Sequence, residues 1–417
     1  MSKSVIVVGA GVVGLSTAYY AAAKGHRVTV VDRGLAETEG CSFGNAGMLV
    51  PSHFVPLAAP GMVGRGLRWM WNPESPFYVR PRLSADLLGW GLRFWQASSA
   101  DRVARAAPLL RDLHLSSRAC YEDWAARWGA DFGLEKNGLL MLCRTDRGLE
   151  EESRAAEQAR GLGMPAEVLD PRETAEREPG LRMDVRGSVY YPWDAHLVPE
   201  RLMATLQGNL AGAGVPISWQ TEVGRWLTSG ARVTGVGTNR GELTADEYVL
   251  CAGAWSAAAV RGLGLKLPLQ AGKGYSLTLP RARRLPRLCA ILSEAHVAVT
   301  PMRGDLRVGG TMELAGLDET IDPARVRGIV AAVARYFPDL TAADFAGVKP
   351  WCGLRPCSPD GLPYLGRSTR YSNLSVATGH AMMGVSLGPV SGKLMAEVLS
   401  DEKPHLDIGA LRPDRYS

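Results

Sequence analysis

Disulfide and metal chemistry find little to work with in this chain. Its seven cysteines form no C-x-x-C pair, and neither they nor the seven histidines fall at spacings that hold zinc or an iron–sulfur cluster. Cys143 and Cys251 sit in apolar, strand-like runs, the pattern of reduced, buried thiols in a cytoplasmic-type compartment. No apolar run reaches the roughly 18 residues that a membrane-spanning helix needs. Basic runs are equally scarce: RARR at 281–284 is short, and a net charge of +5 is too mild to imply a nucleic-acid partner. There is no internal repeat and no low-complexity tract. Lys3 followed by an apolar stretch and AAA at 21–23 imitates a secretory leader, but cleavage there would remove the glycine pattern described next, so none is expected.

What the chain does have is size and glycine. With 417 residues, 46% of them hydrophobic, and 48 glycines, it can build two domains or one elaborate α/β body. Residues 5–33 read VIVVGAGVVGLSTAYYAAAKGHRVTVVDR: a β-branched run, Gly-x-Gly-x-x-Gly, a small-residue helix, and a second run ending in Asp32. This is a βαβ dinucleotide-binding pattern. Gly9 permits the tight turn, Gly11 lets the backbone approach a pyrophosphate, and Gly14 lets the helix sit close on the strand. The helix N-terminus offers free N–H groups and a partial positive charge, and Asp32 is placed for ribose hydroxyls. NAD and FAD fit this stretch equally.

Downstream, 41–60 is a loop broken by glycine and proline. Helices are expected over 108–128, 147–161, 199–213, 322–337 and 388–400, and strands at 247–251, through 273–310 and at 374–377, with 348–366 as a loop-rich stretch. The far end reads NLSVATGHAMMGVSLGPVSGKLMAEVLS (373–400), a strand running into Gly379-His380, then Gly384, then a helix. A second glycine loop with a second helix N-terminus suits a flavin, whose N1–C2=O edge becomes negative on reduction. On this segment alone an ordinary strand–turn–helix fits as well, and the expected fold class is α/β: a doubly wound dinucleotide-binding domain assembled from 1–50, 190–270 and 346–417 (the FAD-binding domain, if the flavin reading holds), with a discontinuous α+β substrate domain from 51–189 and 271–345.

Five further segments follow in order: GCSFGNAG (40–47), CAGAWS (251–256), GKGYS (272–276), WCGLRPCSPDGLPYLG (351–366) and ATGHAMMG (377–384). With the N-terminal pattern they resemble the FAD-dependent D-amino-acid oxidase superfamily over nearly the whole chain. The bacterial D-amino-acid dehydrogenase family is the closest match, and glycine oxidase and sarcosine oxidase are more distant. The resemblance implies FAD, with Gly9, Ala10, Gly11, Val12, Val13, Gly14, Asp32 and Arg33 at the adenosine and pyrophosphate. It places Ser42, Asn45, Ala46 and Gly47 along the pyrophosphate and flavin, Val223 at the adenine side, and Ala252 and Gly253 in the central turn. Gly379, His380, Met383, Gly384 and Val385 would meet the isoalloxazine. Asp32 stands where such flavoproteins more often carry Glu. The stretch HAMMGVSLGP (380–389) departs from alanine-degrading dehydrogenases toward relatives acting on hydroxylated D-proline. Where some members attach flavin through a cysteine this chain has Gly353, one residue from Cys352, so the FAD is expected to be held without a covalent bond.

The implied reaction is oxidative deamination of a D-amino acid, or of a D-imino acid such as D-proline, by hydride transfer from Cα to flavin N5. Positioning carries most of the rate, so the group to seek is a cation that fixes a carboxylate. Arg355 in GLRP is that cation, unless Asp360 claims it as a structural bridge. Tyr275 would donate to the same carboxylate or cap the pocket, His380 would tune the flavin, and Met48, His53 and Met312 would face the substrate. Segment 65–95 sets Trp69, Trp71, Trp90 and Trp95 among arginines, which suits either a core helical layer or a lipid–water boundary. In the second case the protein sits peripherally at the inner face of the membrane and passes electrons to a quinone. The alternative readings are an oxygen-reducing glycine- or sarcosine-type oxidase and an electron-passing flavin subunit; the missing cluster-binding cysteines weigh against the last.

Overall fold

The run Ser4–Val8 is apolar on both faces because both faces are covered. Val5 and Val7 meet a helical layer, while Ile6 and Val8 meet a second cluster on the other side. The computed structural model describes residues 1–36, 40–70, 75–129 and 131–417. Trp71 lies outside them. Ser4–Val8 sits inside a six-stranded sheet ordered Tyr364–Arg367, Leu374–Thr378, Glu247–Leu250, Ser4–Val8, Arg27–Val31, Ile217–Ser218. Its pairs are parallel except the first. A three-stranded antiparallel sheet, Val223–Ser229, Arg232–Thr238 and Gly241–Leu243, covers the outer face through Val233 and Val236.

Two helices cover the inner face. Val12–Ala23 buries Leu15, Ala18 and Ala21, and Gly384–Leu399 lies against it. Small residues allow this contact: a Cβ at Gly392 would stand 2.4 Å from the Ser16 carbonyl carbon, and one at Gly388 would stand 2.9 Å from a Val12 methyl. The helices therefore run side by side in the same direction, and their N-termini meet.

The larger sheet runs Trp351–Cys357, Gln270–Leu279, Asp305–Leu314, Val297–Met302, Cys289–Leu292, Leu139–Cys143, Gly187–Tyr191, Glu167–Leu169, with Phe77–Val79 pairing beside Asp305–Leu314. Helix Pro323–Tyr336 seals one of its faces, with Ile329, Val333 and Tyr336 in one cluster with Tyr275, Leu277 and Val308. The loop around 41–47 is tied to this sheet: Arg307 donates to Phe43 O at 3.0 Å and Asn45 O at 2.9 Å, and Ser276 Oγ donates to Gly44 O at 3.1 Å.

Three expectations need correction. The stretch read as loop, 348–366, contains the strand Trp351–Cys357, which pairs with Gln270–Leu279 and so belongs to the larger sheet, not to the dinucleotide layer. Pro356 is tolerated there because the strand is an edge. Helix Ala100–Trp128 begins before 108 and runs through Pro108, and helix Gly384–Leu399 begins before 388 and runs through Pro389. In both, packing of buried residues outweighs the loss of one backbone bond.

Candidate active site

A cavity of about 980 Å³ opens where the parallel strands end, bordered by Val8, Val31, Cys251 and Ala377. Gly9 turns there with φ of +114°, and a Cβ on it would stand 2.4 Å from Cys251 O. Gly14 is fixed by contact: its Cβ would lie 1.9 Å from Gly9 O. Gly11 caps the first helix without a side chain, and the first turn carries no acid. Ser42 Oγ accepts the Val12 N–H at 3.0 Å. Asp32 accepts the N–H of Ala10 at 2.6 Å on one oxygen and that of Gly34 at 2.7 Å on the other. Each oxygen keeps a lone pair for a hydroxyl donor. Ala10, Gly11, Val12, Val13, Arg33, Asn45, Val223, Ala252 and Gly253 also border the space. Arg33 lies 4.0 Å over the Trp255 ring, a wall that the glycine pattern did not reveal. A dinucleotide fits these residues: a glycine cradle, a helix end free of acid, and a carboxylate with spare lone pairs.

The second helix N-terminus completes this cavity. Strand Leu374–Thr378 leads into Gly379 at φ +83° and Ala381 at φ +47°, and His380, Ala381, Gly384 and Val385 border the space. The His380 imidazole turns inward: Nε2 lies 2.8 Å from Ser391 Oγ, and burial pulls its pKa down to about 4. Of the two roles open to it, tuning the flavin or packing, this neutral, inward-turned ring favours packing at the border of the cavity. Gly14, Gly47 and Gly379 border neither cavity. Gly47 and Gly379 serve the turns, and a Cβ on Gly47 would stand 2.2 Å from Leu197 O.

An adjoining cavity of about 730 Å³ shares Cys41 and Asn45 with the first. Ala46, Met48, His53, Met312, Met383 and Arg355 border it, with Leu57, Phe77, Trp90 and Phe94 among its apolar walls. Arg355 lies across Gly274, where a Cβ would stand 2.1 Å from Nη2. Its Nη1 donates to Thr311 O at 2.5 Å. Thr311 has φ of +69° at a β-bulge, an uncommon conformation for a β-branched residue, and this local distortion aims its carbonyl at the guanidinium. Asp360 does not claim Arg355, because Arg415 holds it with two bonds of 2.8 and 2.9 Å. Among the described residues no carboxylate pairs with Arg355. Trp351 stands on the same strand face; a Cβ on Gly44 or Gly353 would run into its ring.

Tyr275 borders this cavity, but its hydroxyl is aimed elsewhere. Strand alternation puts it with Lys273 on the face opposite Arg355, where its hydroxyl donates to Glu313 Oε2 at 2.8 Å in a cluster with Lys273 and Asp318. Cys352 is on that opposite face too, with Sγ 2.9 Å from Glu319 O. Ser52 and Asp194 escaped the sequence reading altogether. Asp194 Oδ1 accepts the Ser52 N–H at 3.1 Å, Oδ2 accepts its hydroxyl at 2.5 Å, and Ser52 Oγ lies 3.0 Å from His53 Nδ1. Nothing in the sequence links two residues 142 positions apart.

Over residues 4–398 the chain matches the family described as FAD dependent oxidoreductase. It is 34% identical to a D-amino acid dehydrogenase of Bradyrhizobium diazoefficiens and 35% identical to one of Paramagnetospirillum magneticum, each over 99% of both chains. Glycine oxidase from Geobacillus kaustophilus superposes with a TM-score of 0.80 at 25% identity, covering 100% of this chain and 99% of that one. L-proline dehydrogenase from P. horikoshii gives 0.75 at 19% identity over 100% and 98%, a likeness of fold alone. The chain belongs to the FAD-dependent oxidoreductase family, and its cofactor is FAD.

Proposed function

We propose that the protein oxidatively deaminates D-amino acids with bulky apolar side chains. The observation that carries this reading is Arg355, a half-buried guanidinium without a carboxylate partner among the described residues, at the edge of a largely apolar cavity of about 730 Å³. Bound FAD supplies the acceptor for the hydride from Cα. The chain's own residues bind and orient. The Arg355 fork donates to both oxygens of a carboxylate, and Thr311 O fixes its plane. Apolar walls at Leu57, Trp90, Phe94 and Met312 admit a large side chain and exclude water, which strengthens the ion pair. The relatives at 34–35% identity named D-amino acid dehydrogenase support the D configuration. Glycine and sarcosine would leave most of the cavity empty, and a hydroxylated proline would set its hydroxyl against apolar walls. Anaerobic bleaching of the bound flavin by a panel of amino acids tests the reading. D-Phenylalanine and D-leucine should bleach it faster than D-alanine, D-proline or hydroxy-D-proline, and L-isomers should not. A panel in which glycine or sarcosine leads would overturn it.

A second feature concerns the electron acceptor. Helix Ala85–Ala97 leaves Leu88, Leu92 and Trp95 exposed, at 70%, 55% and 64%; Leu88 and Leu92 also border the cavity, as do Trp90 and Phe94. These three share one helix face, and Arg65, Arg68 and Arg80 are exposed in the same segment. We infer that this face rests on an anionic bilayer surface and that the reduced flavin passes its electrons to a quinone. Among the described residues no helix is long and apolar enough to cross a membrane.

A further inference from the structure

We propose that His53 is the proton acceptor that converts the bound ammonium of the substrate into the neutral amine, with Ser52 and Asp194 as positioning residues that carry the displaced proton onward. This rests on the amino-acid oxidation proposed above. A hydride can leave Cα only if a nitrogen lone pair is free to form the C=N bond, and an amino acid near neutral pH carries an ammonium instead. An acceptor in the cavity would free that lone pair at neutral pH. Among the described residues no aspartate or glutamate borders it. Arg355 has no lone pair to offer. The Tyr275 hydroxyl lies on the other face of the sheet. Cys41 and Cys357 have no base strength as thiols, since burial pushes both pKa values up, that of Cys357 to about 12.

Two imidazoles remain, and they differ. His296 packs edge-on to Trp69, with ring centres 5.2 Å apart, and its ring makes no hydrogen bond among the described residues. His53 has a built hydrogen-bond chain behind it. Ser52 Oγ has one proton and gives it to Asp194 Oδ2 at 2.5 Å, so toward His53 Nδ1 at 3.0 Å it accepts. That fixes the Nδ1–H tautomer and leaves a lone pair on Nε2, which bonds to no described residue.

The transfer balances without any change of oxidation state. The ammonium N–H bond breaks as Nε2–H forms. Nδ1 gives its proton to Ser52 Oγ, and Ser52 gives its own to Asp194 Oδ2. His53 ends neutral, so no buried imidazolium is needed. Burial sets the proton affinities the same way: it pulls the His53 pKa down to about 4 and pushes that of Asp194 up to about 7, partly offset by the Ser52 bonds. Helix Ala100–Trp128 presents His114 toward His53 and Arg118 toward Asp194. His114 is held neutral by burial at about 3, with Nδ1 on Ser386 Oγ at 2.9 Å. Tyr191 and Cys289, on the neighbouring strands, are both shifted upward by burial and stay protonated. Asp194 is therefore the member of this group that titrates near neutrality.

The test is stopped-flow reduction of the holoenzyme across pH, beside calorimetric binding of 2-aminoisobutyrate, which has no α-hydrogen. In the wild type, reduction rate and affinity should both fall below a limb near pH 7. His53→Gln and Asp194→Asn, with cofactor content and melting temperature retained, should slow reduction at pH 7 by ~10²–10⁴-fold. Both should move the limb up toward the ammonium pKa of the substrate, so that high pH restores the rate. Ser52→Ala cuts the relay and carries the same expectation if either variant fails to fold. A His53→Gln enzyme with the wild-type limb, or a His296→Gln enzyme that shows the shift instead, overturns the relay alone. A wild-type flavin that no amino acid bleaches overturns the substrate reading, and the relay with it.

Discussion

Gly274 decides where Arg355 can lie. Three guanidinium atoms would stand 2.1–2.3 Å from a Cβ at that position. The clash is with the far end of a flexible side chain, so Gly274→Ala should leave the melting temperature nearly unchanged while displacing the carboxylate clamp. A charge-assisted bond is worth about 1.5–3 kcal/mol, so we expect KM for the amino acid to rise by roughly one to two orders of magnitude. Arg355→Lys, which keeps the charge but loses the planar fork, should weaken binding as well. Steady-state KM measured beside thermal melting checks both. An unchanged KM would move the carboxylate site elsewhere. Arg355 was legible in the sequence from its GLRP setting. The face assigned to Tyr275 was not, because it depends on the pairing of Gln270–Leu279 with Trp351–Cys357. A signal was present nonetheless: Gly272 and Gly274 recur at period two, which marks one strand face kept bare for a neighbour's side chain.

Helix Ala85–Ala97 divides two environments by its spacing. Trp90 Nε1 donates to Cys357 O at 2.9 Å on the inner side, while Leu88, Leu92 and Trp95 are exposed, the first two at the edge of the cavity. Trp95→Glu, at the one of the three that does not border the cavity, should weaken flotation with anionic liposomes and leave flavin content and dye-linked turnover in solution intact. Flotation undiminished by the substitution would remove the bilayer from this face. At this scale the opening βαβ unit was fully legible, since its strand, glycine pattern, helix and acid follow without interruption. Strand Trp351–Cys357 was hidden by Gly353 and Pro356, residues that read as loop when the edge position is unknown. The bulge at Thr311 was hidden too, because a register shift is a property of two strands and no single run of residues carries it.

Across the whole molecule, the end of the chain keeps the site's charge in order. Arg415 binds Asp360 with two bonds and lies 3.9 Å over Tyr364. Burial alone would raise the Asp360 pKa, but the Arg415 bonds outweigh it and the net shift is downward. Asp360 therefore stabilises the fold above the ordinary carboxylate pKa of about 3.9, and that contribution is lost as pH falls through its depressed folded value. Removing one partner of a buried pair costs about 3–5 kcal/mol, so Arg415→Met should lower the melting temperature and flatten its acid limb. Melting curves from pH 3 to 7 check this; a parallel shift at every pH would speak against the pair. The touching helices Val12–Ala23 and Gly384–Leu399 carry a consequence for biosynthesis. The larger cavity is bordered by Gly9–Val13 and by His380–Val385 alike, so a nascent chain cannot retain its flavin until the second of these segments has emerged from the ribosome, and products that stop short of it should be colourless.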